Sequence, residues 1–216
     1  MAAKAIWLFD LNDLNPRGKD VGGDLIDWLK GSYYFEKAPE SPTELDPESK
    51  GLNFERGRFQ VKEEIYITVD LQVFSDGLVA NSRSSTQDTE RFIEDVLRNM
   101  VTEFSLAYDP AIIRSKMHRS ELTVVLDKDI SMLNPKLQSF ADKISALCGN
   151  QIPPFRPTKI GFTTDIFRSI WKVSDFYIEP KVGFSLDDRK YFSRAPVHTE
   201  QHLELLQEFE SILAGG

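Results

Sequence analysis

The chain predicts an α+β fold: a largely antiparallel sheet with helices packed mainly on one face. Three observations predict it. Ile65, Ile67, Val69, Leu71 and Val73 occupy every second position, with Tyr66, Thr68, Asp70, Gln72 and Phe74 between them. That period of two is a strand with one apolar face. Asp76-Gly77 follows, a two-residue turn signal that folds the chain back into an adjacent antiparallel strand. Phe92, Ile93, Val96, Leu97, Met100 and Phe104 then recur at helical spacing, a wide apolar stripe. Paired strands and irregularly interspersed helices give α+β rather than a regular βαβ alternation.

The remaining elements follow in order. Ala5 to Phe9 is a short buried strand, and Asn12 to Gly23, with its Asn, Asp, Pro and Gly, is a loop. Asp24 to Lys30 is a short helix with Leu25, Trp28 and Leu29 on one side and Gly31 at its C-cap. Lys37 to Lys50 holds Pro39, Pro42 and Pro47 among Glu40, Glu44, Asp46 and Glu48. Proline removes ladder donors and the acids hold the segment in water, so 37–50 is a long loop open to proteolysis. Phe54 to Phe59 (FERGRF) reads as a small hairpin around Arg56-Gly57.

With a type I′ turn at Asp76-Gly77, Ser75 faces Leu78, Phe74 faces Val79 and Val73 faces Ala80. Ser85, with Asp88 three residues on, or Thr86, with the acids that follow it, caps the next helix. Glu121 to Leu126 is a strand. Asn134-Pro135 starts a helix carrying Leu137, Phe140, Ile144 and Leu147, which Gly149 ends. Strands are expected near 158–164, 171–179 and 190–194. A final helix from about Thr199 carries Leu203, Leu206, Phe209, Ile212 and Leu213. No internal repeat is visible in the residues, and 1–216 reads as a single domain.

Composition bounds the function. Hydrophobic residues at 41% and charged residues at 28% describe a globular chain able to bury a full core. The net charge of −8 opposes a grip on a nucleic-acid backbone, which needs clustered cations. The single cysteine, Cys148, allows neither an internal disulfide nor a thiolate metal cage; beside Gly149 it reads as a small core residue of a protein in a reducing compartment. No apolar run approaches the ~20 residues that span a bilayer, and Ala5 to Phe9 is too short for a signal peptide. A cytoplasmic protein is expected.

Four constellations bear on chemistry. Glu179-Pro180-Lys181, with Asp165 and Asp175 upstream, has the acid-x-lysine form of metal-dependent nucleases and phosphoesterases, where carboxylates hold a divalent ion and a lysine steadies the attacking group. The same triplet form recurs at Glu48-Ser49-Lys50 and Asp188-Arg189-Lys190. His198 and His202 lie four apart, a spacing that aligns two imidazoles on a helix face for a metal, although a helix beginning at Thr199 leaves His198 outside it. Arg114, Lys116 and Arg119, with His118 among them, gather cations for an anionic ligand on what otherwise reads as a solvated loop. Tyr66 and Phe74 place aromatic rings on the polar face of the alternating strand, a mixture frequent at protein interfaces.

The hydroxyls and acids between residues 75 and 90 read as turn and helix cap. No His, Cys or Lys stands among them to activate a nucleophile. There is no glycine-rich phosphate loop and no nucleophile elbow. The sequence calls for no cofactor. The expected function is that of a non-catalytic protein-binding or assembly component, with a protein partner or homo-oligomer, and the acid-x-lysine enzyme is the alternative.

Overall fold

The computed structural model describes residues 1–15, 17, 18, 22–40, 51–149, 152–165, 167, 168 and 173–215. They form two compact units, Met1–Ser120 with Val197–Thr199, and Glu121–Pro196 with Glu200–Gly216. The expected loop at 37–50 lies outside the described residues from 41 onward, as does the start of the expected strand at 171–179.

The first unit holds β1 (Ala2–Leu8), α1 (Leu11–Leu14), α2 (Gly22–Ser32), β2 (Leu52–Lys62), β3 (Ile65–Phe74), β4 (Gly77–Ser82), α3 (Thr86–Phe104) and the first half of β5 (Ser115–Val125). Its strand order is β2-β3-β4-β1-β5. The β1/β4, β2/β3 and β3/β4 pairs are antiparallel. Alternation sends Ala5, Trp7, Val69, Leu71, Val73, Leu78 and Ala80 to one face, where they meet Leu25, Ile26 and Leu29 of α2 and Phe92, Ile93, Val96, Leu97 and Met100 of α3. Each large side chain so buried contributes roughly 1.5–3 kcal/mol. On the opposite face Lys4, Ile6, Val79, Asn81, Gln72 and Phe74 stay partly exposed. α3 is capped as its sequence implies, Ser85 Oγ accepting from the Asp88 N–H at 3.1 Å. Ser85→Ala is expected to cost about 1 kcal/mol in urea unfolding.

The second unit holds the rest of β5, then α4 (Pro135–Cys148), β6 (Ile160–Phe162), β7 (Phe176–Pro180), β8 (Lys190–Ala195) and α5 (Thr199–Ala214) from Glu200 on. Its strand order is β5-β8-β7-β6, with β6/β7 and β7/β8 antiparallel. Leu206, Phe209 and Leu213 of α5 pack on Leu122, Ile178 and Tyr191. Tyr177, Glu179, Phe192 and Arg194 point the other way and remain partly exposed. An α+β fold built on antiparallel strands is therefore observed.

Several local expectations are corrected. FERGRF is not a hairpin but a bulge within β2: Phe54 pairs with Leu71 and Gly57 with Val69, one extra residue on the β2 side. Arg56 takes a left-handed conformation (φ 55°), and Asp70 Oδ1 accepts its N–H at 2.8 Å, so the chain kinks and resumes pairing. The β3–β4 turn has Ser75-Asp76 at its centre, because Phe74 pairs with Gly77 and Val73 with Leu78. Gly31 lies inside α2, and the left-handed residue beyond the helix is Tyr34 (φ 53°). β5 begins at Ser115, so the basic run around Lys116 is strand, not loop. Cys148 is exposed rather than part of the core, since α4 turns only Ala141 fully inward.

Candidate functional site

The acid-x-lysine residues do not converge. Glu179 accepts from Lys159 Nζ at 2.6 Å, and the Lys181 ammonium stands 5.5 Å from the centre of the Phe192 ring. Asp165 accepts the Phe167 N–H and pairs with Arg168 at 3.3 Å; Asp175 is exposed. Among the described residues, no metal-holding group contains any of the four.

The cations of β5 are distributed by the pleat. Arg114 approaches Asp13 at 3.8 Å. Lys116 approaches Glu94 at 3.9 Å and lies 3.5 Å over the Trp7 ring. Arg119 has the opposite parity to Lys116 and His118, so it points to the other face. An anion at Arg114 or Lys116 would have to compete with a carboxylate already present.

Tyr66 is 60% exposed and lines a cleft of about 550 Å³ with Tyr33, Tyr34, Phe59, Arg58 and Asp95. Tyr33 donates its hydroxyl to Asp95 Oδ2 at 2.8 Å, and burial pushes its phenol pKa up. Phe74 lies against Gly51 at the far end of β3. Eight residues of strand, roughly 26 Å, separate the two rings, so they do not form one patch.

The two expected metal histidines part company. His202 is fully buried, its Nε2 2.8 Å from Ser193 Oγ. Ser193 donates to the Tyr177 carbonyl, so its oxygen accepts from an Nε2–H. Burial lowers the His202 pKa to about 4. His198, ahead of α5, joins Glu90 and His118 instead. His118 Nε2 lies 2.9 Å from Glu90 Oε1, and His198 Nδ1 lies 3.8 Å from Oε2 of the same carboxylate. The imidazoles stack with centroids 3.8 Å apart and planes 33° apart.

Three elements fix this group. The first turns of α3 carry Glu90, the β5 pleat carries His118, and an exchange of hydrogen bonds anchors His198. The Thr86 N–H donates to Thr199 Oγ1 at 3.0 Å, and the Thr199 N–H donates to Thr86 Oγ1 at 2.8 Å. Thr86 Oγ1 is also 3.3 Å from His198 Nδ1. Burial acts to raise the Glu90 carboxyl pKa. The contact with His118 and the charges of His118, His198 and Lys116 outweigh it and hold the carboxyl below its ordinary value.

No protein-family model, curated protein or solved structure matches the chain. What it does must be read from its own surfaces. Among the described residues, no helix is long and apolar enough to cross a membrane.

α4 departs from an ordinary solvated helix. Leu137 is 51% exposed, Phe140 61% and Leu147 89%, with Ile144 half-buried between them. Their spacing of three, four and three residues is the a/d repeat of a helix seam. The sequence shows the stripe without saying what covers it.

Proposed function

We propose that the protein is a non-catalytic assembly component that forms a homodimer through α4. The exposed a/d stripe of Leu137, Phe140, Ile144 and Leu147 carries this reading. Water contact with large apolar side chains is unfavourable, and a contiguous row of them marks an interaction surface. A stripe this narrow suits another helix better than a flat sheet. A second copy supplies that helix. Run antiparallel about its midpoint, the seam sets Leu137 opposite Leu147 and Phe140 opposite Ile144, so each copy completes the other and the contact closes with twofold symmetry. The cleft at Tyr66 belongs to the same class of function, as an aromatic-walled recess for a partner's side chain.

Light scattering tests the dimer. The chain is expected at twice its 24.7 kDa mass, and Phe140→Ser with Leu147→Ser is expected at the monomer mass with an unchanged circular dichroism spectrum. A monomeric wild-type chain across the micromolar range, or a double variant that stays dimeric, overturns the reading.

A further inference from the structure

We propose that Glu90, His118 and His198 bind one divalent transition-metal ion of the zinc class, in a site within the first unit that is independent of the α4 seam. One ligand atom from each residue lies within 4.8 Å of the other two, and all three side chains are half-buried. Tetrahedral ligands about 2.1 Å from a shared ion stand about 3.4 Å apart. Side-chain shifts of about an ångström therefore close the set.

A second observation points to a ligand. His118 Nε2 is buried and has no hydrogen-bond partner in line with it, even though Glu90 Oε1 is only 2.9 Å away. The carboxylate and the imidazole nitrogen are close neighbours in poor hydrogen-bond alignment. An ion between them would satisfy both. The stacked rings, with centroids 3.8 Å apart, bring both imidazoles to the one carboxylate, and an ion takes both of them neutral.

The donor set selects the ion. Two imidazole nitrogens and one carboxylate oxygen suit Zn²⁺, Co²⁺ or Ni²⁺; Ca²⁺ and Mg²⁺ prefer oxygen alone. Three protein ligands leave a fourth position open to water or to a small anion. The Thr86 hydroxyl, held by the Thr199 N–H, stands 3.3 Å from His198 Nδ1, the nitrogen that also faces Glu90, and fixes where the ring sits.

The test uses the full chain carrying Cys148→Ser, to remove the exposed thiol, after stripping with EDTA. Zn²⁺ followed by calorimetry is expected to bind with one-to-one stoichiometry and to raise Tm. Co²⁺ is expected to give visible d–d bands with no thiolate charge-transfer band. Glu90→Gln, His118→Asn and His198→Asn are each expected to weaken binding more than about 100-fold. Their metal-free circular dichroism and Tm report whether they fold, and His198→Asn, at the rim of the cluster, decides the matter if His118→Asn does not. Absence of a Tm shift and of binding with both ions overturns the site. So does binding that survives Glu90→Gln and His198→Asn, which would place the ion elsewhere.

Discussion

Gly77→Ala is expected to destabilise the first unit by about 3 kcal/mol or more in urea unfolding. Gly77 has φ 153°, and a Cβ built on it would stand 2.1 Å from the Trp7 carbonyl oxygen. That oxygen is backbone of the neighbouring strand, where Leu8 pairs with Gly77. It cannot swing away as a flexible side chain would, so β1 must shift and drag Trp7 and Phe9, both fully buried, from their packing. Gly161→Ala is the control. Its backbone is not left-handed and the nearest atom to a Cβ is 3.8 Å away, so a change of less than about 1 kcal/mol is expected. A Gly77→Ala chain as stable as wild type would mean that β1 and β4 are not in this register.

The same glycine shows what the residues could and could not say. Asp76-Gly77 correctly announces a two-residue hairpin, but the glycine serves the approach of β1 and lies outside the turn. The expected pairing of Val73 with Ala80 and the observed pairing with Leu78 differ by two residues. A shift of two preserves every side chain's face, so alternation, the strongest signal in the chain, is blind to it. The start of β5 was hidden for a related reason. Arg114, Lys116 and His118 share one face there, and strand signals depend on apolar residues. For α4, periodicity announces a stripe without saying what covers it, and Leu137, Phe140 and Leu147 are exposed. The Glu90, His118 and His198 cluster joins three separate elements, so no spacing in the sequence could have shown it. The one available hint was that the chain has only three histidines.

A repeat invisible in the residues is plain in the order of elements. The first unit runs strand, helices, three strands, helix, with β2-β3-β4-β1 side by side; the second runs strand, helix, three strands, helix, with β6-β7-β8-β5. In both, four positions lead from the last residue of the final strand to a threonine that opens the helix, Ser82 to Thr86 and Ala195 to Thr199. Three residues further on, Thr89 and His202 are each fully buried and hydrogen-bonded to a strand serine, Ser82 at 2.7 Å and Ser193 at 2.8 Å. Each unit ties this helix turn to its sheet by a polar link, from a serine four positions before the threonine in one unit and six in the other. A threonine makes the link in one unit and a histidine in the other, and residue identity cannot reveal an equivalence that hydrogen bonding satisfies with different chemistry.

That choice of histidine gives the second unit a pH dependence that the first lacks at this position. His202 titrates near 4 when folded and near 6.5 when unfolded. Between those values the unfolded chain binds the extra proton, so stability falls as pH falls. The contribution is complete above about pH 6.5, is lost on the way down to about pH 4, and amounts to about 3 kcal/mol. Glu90, whose folded carboxyl is lowered, acts in a more acid window: its contribution is present above its unfolded value and is lost only as pH drops through the folded one. Comparing wild type with His202→Leu separates the two, because every other group titrates in both proteins. With EDTA present, the stability difference between them is expected to move by about 3 kcal/mol in favour of the leucine variant between pH 7 and pH 4. The lost bond to Ser193 offsets the variant equally at all pH values and cancels from that change. A difference that stays flat over this range would mean that the His202 ring accepts its proton inside the fold and that burial does not hold it neutral.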